Sequence, residues 1–289
     1  DHIAPNEHPD MEDYISCKLK IFDSCETGIL NADCTVAERV EDYCRDKVKL
    51  LTYSIEGKAD FVARNLRAQR MGHVTGTVFE LDSEYYKGDI FVAFPGRFNV
   101  YNALCAICTA YIEEVDIDTV KNALENVSVP GRMQPVENGF GVNILVDYAH
   151  NAAALESVLD TLKEYTEGRI ITVFGCGGNR AVTRRFEMGE VSGRLSDLTI
   201  ITSDNPRKEE PEAIIRDIVT GISKTDGIYE IVPDRSEAIM HAVSIAKSGD
   251  TILIAGKGHE DYQIFADKTI HFDDCEQAAI AVAAREDMR

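Results

Sequence analysis

Positive charge is scarce in this chain. Its 289 residues carry 30 Lys+Arg against 50 Asp+Glu, a formal net charge of -20. Such a field repels phosphate backbones, so duplex nucleic acid and anionic membrane surfaces are poor partners. An anionic ligand must be drawn in by a local cluster of Arg, Lys or helix N-termini, or by a metal. Long apolar runs are missing too: no stretch reaches the roughly 18 residues of a membrane span, and no signal peptide is evident. Neither G-x-x-x-x-G-K-[ST] nor G-x-G-x-x-G occurs, which removes the usual phosphate loop and the dinucleotide fingerprint. Internal repeats and low-complexity segments are absent. The eight cysteines lack framework spacing, and the lone C-x-x-C of Cys105 and Cys108 has no second pair to complete a zinc site. Small core residues in a reducing cytosol are the expectation, and with them a cytoplasmic location. An initial Met is also missing. The chain opens on "DHIAPNEHPDMEDY", as though cut into mid-domain, and a fragment is expected.

What is present reads as α/β. "PDMEDYISCKLKIF" has helical periodicity, with Met11, Tyr14, Ile15 and Leu19 on one face. Pieces of sheet follow at "VKLLTYS", "DFVAR", "GTVFEL" and "DIFVAF", then helices at "GRFNVYNALCAICTAYIEE" and "DIDTVKNALENV". The Pro- and Gly-rich "SVPGRMQPVENGFG" marks a boundary, giving regions 1–127 and 128–289. Beyond it strands and helices alternate, and the strands are apolar throughout. That pattern predicts a mostly parallel sheet covered on both faces. In such sheets ligands bind beyond the carboxyl ends of the strands.

Four of those strand ends carry unusual residues: "DYAHN", "GCGGNR", "SDNPR" and "GKGHE". "GCGGNR" fits a phosphate cradle of backbone N–H groups, or equally a tight strand-to-helix turn. In "DNPRKEEP", Pro206 fixes its own φ and disfavours helix at Asn205, while Pro211 suits the first turn of a helix. On so stiff a loop Asn205 and Arg207 can grip a planar carboxylate, Arg through two parallel hydrogen bonds. The plainer reading is a capped loop with a solvated arginine. Glu260 is placed to meet an ammonium, or is simply an exposed acid. Asp147 and His150 end the first strand of region 128–289, where a histidine is more often a hydrogen-bonder than a catalyst. His2, Glu7, His8 and Asp10 form a cluster dense in metal-ligand types, or a polar loop. Lys18 either snorkels from its apolar helix or is carbamylated, in which form it acts as a carboxylate toward Mg²⁺.

In order, "DHIAPNEHPDMEDYISCK", "PGRFNVYNALCA", "VPGRM", "ILVDYAHN", "VFGCGGNR", "TSDNPR" and "IAGKGHEDYQ" resemble the C-terminal portion of the Mur ligases, of the meso-diaminopimelate-adding type. The match spans nearly the whole chain. It implies that 1–127 is the later part of a central ATP-binding domain without its phosphate loop. It implies equally that 128–289 is a Rossmann-like domain that binds the incoming amino acid. The activity implied is ATP-dependent amide ligation in peptidoglycan precursor synthesis. ATP phosphorylates a carboxylate of UDP-MurNAc-L-Ala-D-Glu, and the amine of meso-diaminopimelate attacks the acyl phosphate, with Mg²⁺ and cations offsetting charge.

By motif position the resemblance makes His2 a Mg²⁺ ligand and Lys18 the carbamylated lysine, both in catalytic roles. Asn99 and Asn102 fall near the nucleotide base. Arg132, Asp147 and His150 fall on the ATP side, and Arg185, Asn205, Arg207, Gly256 and Glu260 in the amino-acid pocket. Departures are Asn179 where Asp is usual, Ala152 where Pro is common, and "RRFEM" for "KRPLM". A monomer is expected, inactive alone because the phosphate loop and the UDP-sugar-binding region are missing. Alternatives are a cyanophycin synthetase-like or folylpolyglutamate synthase-like ligase, or a truncated amino-acid-binding module. An NAD-dependent oxidoreductase lacks its fingerprint.

Overall fold

The structure is a computed structural model and describes residues 8–71 and 74–287. The chain forms two compact units, Asp1–Val127 and Ser128–Arg289. No helix among the described residues is long and apolar enough to cross a membrane.

In the first unit, α1 (Met11–Leu19) starts where the Asp10 carboxylate accepts the Asp13 N–H at 2.8 Å. A short 3-10 turn, Lys20–Ser24, continues it. Then come β1 (Thr27–Asn31), α2 (Ala37–Cys44), β2 (Lys49–Ser54), β3 (Phe61–Met71), β4 (Val74–Ser83) and β5 (Lys87–Val92). Helices α3 (Arg97–Ile112) and α4 (Ile117–Asn126) follow. The strands lie in chain order, β1 to β3 parallel and β3 to β5 antiparallel. The packed face of α3 is Val100, Ala103, Leu104, Ile107 and Cys108, a helical spacing that meets Phe79, Leu81, Ile90 and Val92 of the sheet. Burying each large side chain there contributes about 1.5–3 kcal/mol. Cys44, Cys108 and Cys176 are core residues as expected, whereas Cys17 and Cys34 are exposed.

The second unit runs β6 (Gln134–Val136), β7 (Asn143–Asp147), α5 (Ala152–Lys163), β8 (Ile170–Phe174), α6 (Thr183–Leu195) and β9 (Leu198–Ile201). It continues with α7 (Pro211–Ile222), β10 (Tyr229–Ile231), α8 (Arg235–Ile245) and β11 (Thr251–Ala255). The hairpin β12 (Tyr262–Ile264) and β13 (Thr269–His271) leads to α9 (Asp274–Glu286). The sheet order is β10-β9-β8-β11-β7-β6, parallel except for the antiparallel edge β6. Strands β8, β9 and β11 are buried along their whole length, which is why their sequences show no alternation. Chain and sheet order differ at one place: β11 inserts between β7 and β8. The carboxyl ends of β7, β11, β8 and β9 are therefore neighbours, and their loops form one rim. α6 and α7 approach closely, since a Cβ on Gly189 would lie 2.3 Å from the Ile218 carbonyl.

Candidate functional site

The loop after β9 is stiff for more reasons than its prolines. Arg207 sits in the left-handed region at φ 54, unusual for a residue with a Cβ and a mark of a backbone held by its surroundings. The hairpin does the holding. Arg207 N–H donates to the Ile264 carbonyl at 3.0 Å. Ile264 N–H returns a bond to Asn205 Oδ1 at 2.9 Å. Gln263 Nε2 donates to the Asp204 carbonyl at 2.7 Å. Asn205 therefore spends its carbonyl on the hairpin, and its Nδ2 donates to Glu260 Oε2 at 2.8 Å. Arg207 Nη1 donates to the carbonyls of Gly178 (3.0 Å) and Asn205 (3.4 Å). Its Nε and Nη2 have no partner among the described residues.

The loop after β11 brings Glu260 to the same place. Gly256, at φ 112, donates its N–H to the Asp147 carbonyl at 3.1 Å, and a Cβ there would lie 2.9 Å from Asp204 Oδ2. Lys257 is fully buried; its Nζ donates to the Tyr262 carbonyl and lies 3.4 Å from Glu260 Oε2. Both donors lie on Oε2, and Oε1 of Glu260 has no hydrogen bond among the described residues. The charge of Glu260 is the main reason that the Tyr262 phenol is pushed up, with Arg207 opposing it, so all three groups share one field.

Arg185, on α6, lies below this rim. Its side chain is 2 % exposed and its guanidinium is held by Glu209 and Asp217, each at 2.9 Å. Glu209 also accepts the Asn179 N–H; that bond and Arg185 hold its carboxyl below the usual range. Arg185 thus ties α6 to the loop after β9 and to α7, while Glu209 ties that loop to the one after β8. Asn179 is left-handed at φ 56, a conformation that Asn and Asp tolerate better than other residues with a Cβ.

Asp147 closes β7 and is buried, with Oδ2 accepting Met133 N–H and Oδ1 accepting Ala149 N–H, both at 2.8 Å. Burial pushes its carboxyl up in spite of those donors. Beside it is an open stack: the Arg132 guanidinium is 4.8 Å from the Tyr148 ring centroid, His259 is 5.4 Å from it and His150 4.6 Å. Arg132 and His259 are exposed.

Two family models divide the chain. The Mur ligase middle domain matches residues 1–110, and the Mur ligase glutamate ligase domain matches 131–258. The chain belongs to the Mur ligase family. A UDP-N-acetylmuramoyl-L-alanyl-D-glutamate–2,6-diaminopimelate ligase of Clostridium acetobutylicum is 45 % identical over 93 % of this chain and 55 % of its own length. The ligase of that name from Clostridioides difficile is 42 % identical over 94 % and 56 %. A solved structure of a ligase of that name superposes with a TM-score of 0.65 at 31 % identity, over 99 % of this chain and 58 % of the other. MurF ligase from Thermotoga maritima, in complex with ADP, shares the fold with a TM-score of 0.69 at 18 % identity, over 97 % and 59 %. The chain spans about half the length of the curated relatives it matches.

Within this Mur ligase chain, the structure brings Asn205, Arg207, Gly256 and Glu260 together, and Arg132, Asp147 and His150 beside one another. Arg185 stands apart as an internal tie. In the first unit, Asn99 is buried and donates Nδ2 to the Pro95 carbonyl at 2.8 Å, while Asn102 Nδ2 reaches Asn99 Oδ1 at 3.4 Å. Asn99 thus braces the start of α3. Lys18 is exposed in the last turn of α1, its Nζ 5.4 Å from the Tyr14 ring centroid. His2 and Glu7 lie outside the described residues. His8 pairs through Nδ1 with Asp13 at 2.8 Å, and Asp10 caps α1. Sequence reasoning missed Lys257 and the hairpin. Lys257 reads as an exposed loop residue between glycines, and the hairpin strands are three residues long, too short for a period.

Proposed function

We propose that this chain is the middle and C-terminal part of an ATP-dependent amide ligase that joins meso-diaminopimelate to UDP-MurNAc-L-Ala-D-Glu through an acyl phosphate. The names of its relatives support the class. The observation that carries the substrate is the pairing of two free valences at one rim: Nε and Nη2 of Arg207, and Oε1 of Glu260. The far end of meso-diaminopimelate bears a carboxylate and an ammonium, which match those two groups. Lysine bears the ammonium alone and would leave Arg207 beside a cation. Asn205 acts in this reading as a bracket, aiming Glu260 with its amide and tying the loop to the hairpin with its carbonyl.

The stack of Arg132 on Tyr148, flanked by His150 and His259, fits a nucleotide: planar rings with one exposed cation for phosphate oxygens. Bound there, ATP would supply the phosphoryl group that activates a carboxylate. Asp147 holds Met133 and Ala149, and so fixes the backbone on either side of that stack. Asn99 and Asn102 are the candidate base contacts of the first unit. Among the described residues no three His, Cys, Asp or Glu form a metal-holding group, and His2 lies outside them. Mg²⁺, which commonly rests on one or two protein ligands together with nucleotide phosphates, would offset phosphoryl charge when bound. Lys18 is no ligand as an ammonium and would become one only if carbamylated.

Calorimetric titration of the chain with meso-diaminopimelate and with lysine tests the assignment. The diamino diacid should bind more tightly. Arg207→Ala should weaken it about tenfold or more, 1.4 kcal/mol per decade, and abolish the preference. Equal binding of both amino acids by the unsubstituted chain would show the loop to be a turn only.

A further inference from the structure

Lysine is almost never fully buried unless paired. Lys257 has no exposed side-chain surface, and its only carboxylate within ion-pair reach among the described residues is Glu260, at 3.4 Å. The other carboxylate of this rim, Asp204, is buried and takes the Asn205 N–H on Oδ1. Beneath the rim, Arg235 is matched by Asp274 at 2.7 Å, both side chains without exposed surface. Lys257 therefore shares its one counter-charge with whatever binds Glu260. An ammonium on Glu260 Oε1 would have a second cation behind the same carboxylate. Because Lys257 is walled off from solvent, salt and water screen that repulsion little.

We propose that Lys257 is a specificity-determining residue: its buried ammonium disfavours a ligand end that carries an ammonium without a carboxylate. This rests on the amino-acid reading given above. A zwitterionic end brings a carboxylate that Arg207 takes up, and the two added charges cancel. A lone ammonium adds a third positive charge next to Arg207 and Lys257. Discrimination of this kind works by repelling the wrong ligand rather than by adding a contact to the right one.

The test is the ratio of the affinities for meso-diaminopimelate and lysine, measured calorimetrically on the full chain. In Lys257→Met the ratio should fall about tenfold, chiefly because lysine binds better, while Lys257→Arg should keep it. A merely structural lysine would weaken both ligands alike and leave the ratio unchanged, which would overturn the proposal. If the Met variant does not fold, the unsubstituted chain still decides. It should bind 2-amino-6-hydroxyhexanoate, whose far end is neutral, at least as well as lysine. Lysine binding about tenfold tighter than that analogue would refute the repulsion. No preference for meso-diaminopimelate in the unsubstituted chain would remove the amino-acid reading, and this proposal with it. A preference that survives Lys257→Met unchanged removes this proposal alone.

Discussion

Two buried aspartates at opposite ends of one sheet have opposite fates. Asp250, just before β11, accepts Nη2 and Nε of Arg169 at 2.7 and 3.1 Å, and the N–H groups of Arg169 and Lys247 at 2.8 and 2.9 Å. Its carboxyl is held below the usual range: burial acts upward, and the Arg169 side chain and the backbone donors outweigh it. Asp147, at the carboxyl end of β7, has two backbone donors and no ion-pair partner among the described residues, and burial wins. The same contrast runs through the charged groups around them. At the other end Asp250 and Arg169 satisfy each other, whereas at the rim Arg207 and Glu260 each keep a polar atom without a hydrogen bond among the described residues. A sheet end with complete pairs is architecture. One with partial pairs is where the proposed ligand would bind.

The largest effect that would sharpen this contrast concerns the rim's own foundation. Arg235 donates to the Ala255 and Ser203 carbonyls at 3.0 and 3.4 Å as well as to Asp274. Asp274→Ala would strand a fully buried guanidinium and should cost about 3–5 kcal/mol in a denaturant titration. A loss under about 1 kcal/mol would mean that the pair behaves as a surface one and that the rim does not stand on it.

Next in size is the closed end. Asp250→Ala should cost about 3 kcal/mol. The sign of its pH dependence follows from its lowered folded value. Asp250's contribution is present above the ordinary carboxylate range and is lost as pH falls through that folded value. The variant should therefore show a flatter acid limb in its stability profile. An unchanged acid limb would take Asp250 out of the comparison.

The smallest effect, with the opposite sign, is at Asp147. A carboxyl raised on folding favours the folded state below its unfolded value, and that stability is lost as pH rises through the folded value. Asp147→Asn forfeits one backbone acceptor, a cost of about 1 kcal/mol. The stability gap between variant and parent should narrow as pH rises from the ordinary carboxylate range toward neutral. A gap that widens would show Asp147 to be as well compensated as Asp250.

Much of the second unit was legible because its signals are local. Apolar strands of four or five residues alternate with helices that begin at Asn151, Pro211 and Asp234, and these fix the order of elements. Pro206 announced a stiff loop at Asn205–Arg207. What stayed hidden depends on partners distant in the chain. Asn205 reads as half of a clamp, yet its amide is committed to Glu260 and Ile264, 55 and 59 residues on. Arg185 reads as a ligand contact, and nothing local in its sequence shows that its Nη1 and Nη2 pair with Asp217 and Glu209. In the first unit β1 and α2 went unread: "TGILN" is short and contains glycine, and "AERVEDYC" has few apolar positions to set a period.

One packing detail carries a genetic consequence. Gly131, at φ 69, lies flat on the backbone of the β11 loop, and a Cβ there would fall 2.2 Å from His259 N and 2.4 Å from the Gly258 carbonyl carbon. Any heavier residue must push on the backbone between Lys257 and Glu260. A mutational screen scored on amino-acid selectivity should therefore return position 131 among its hits, although that residue has no side chain to offer a ligand.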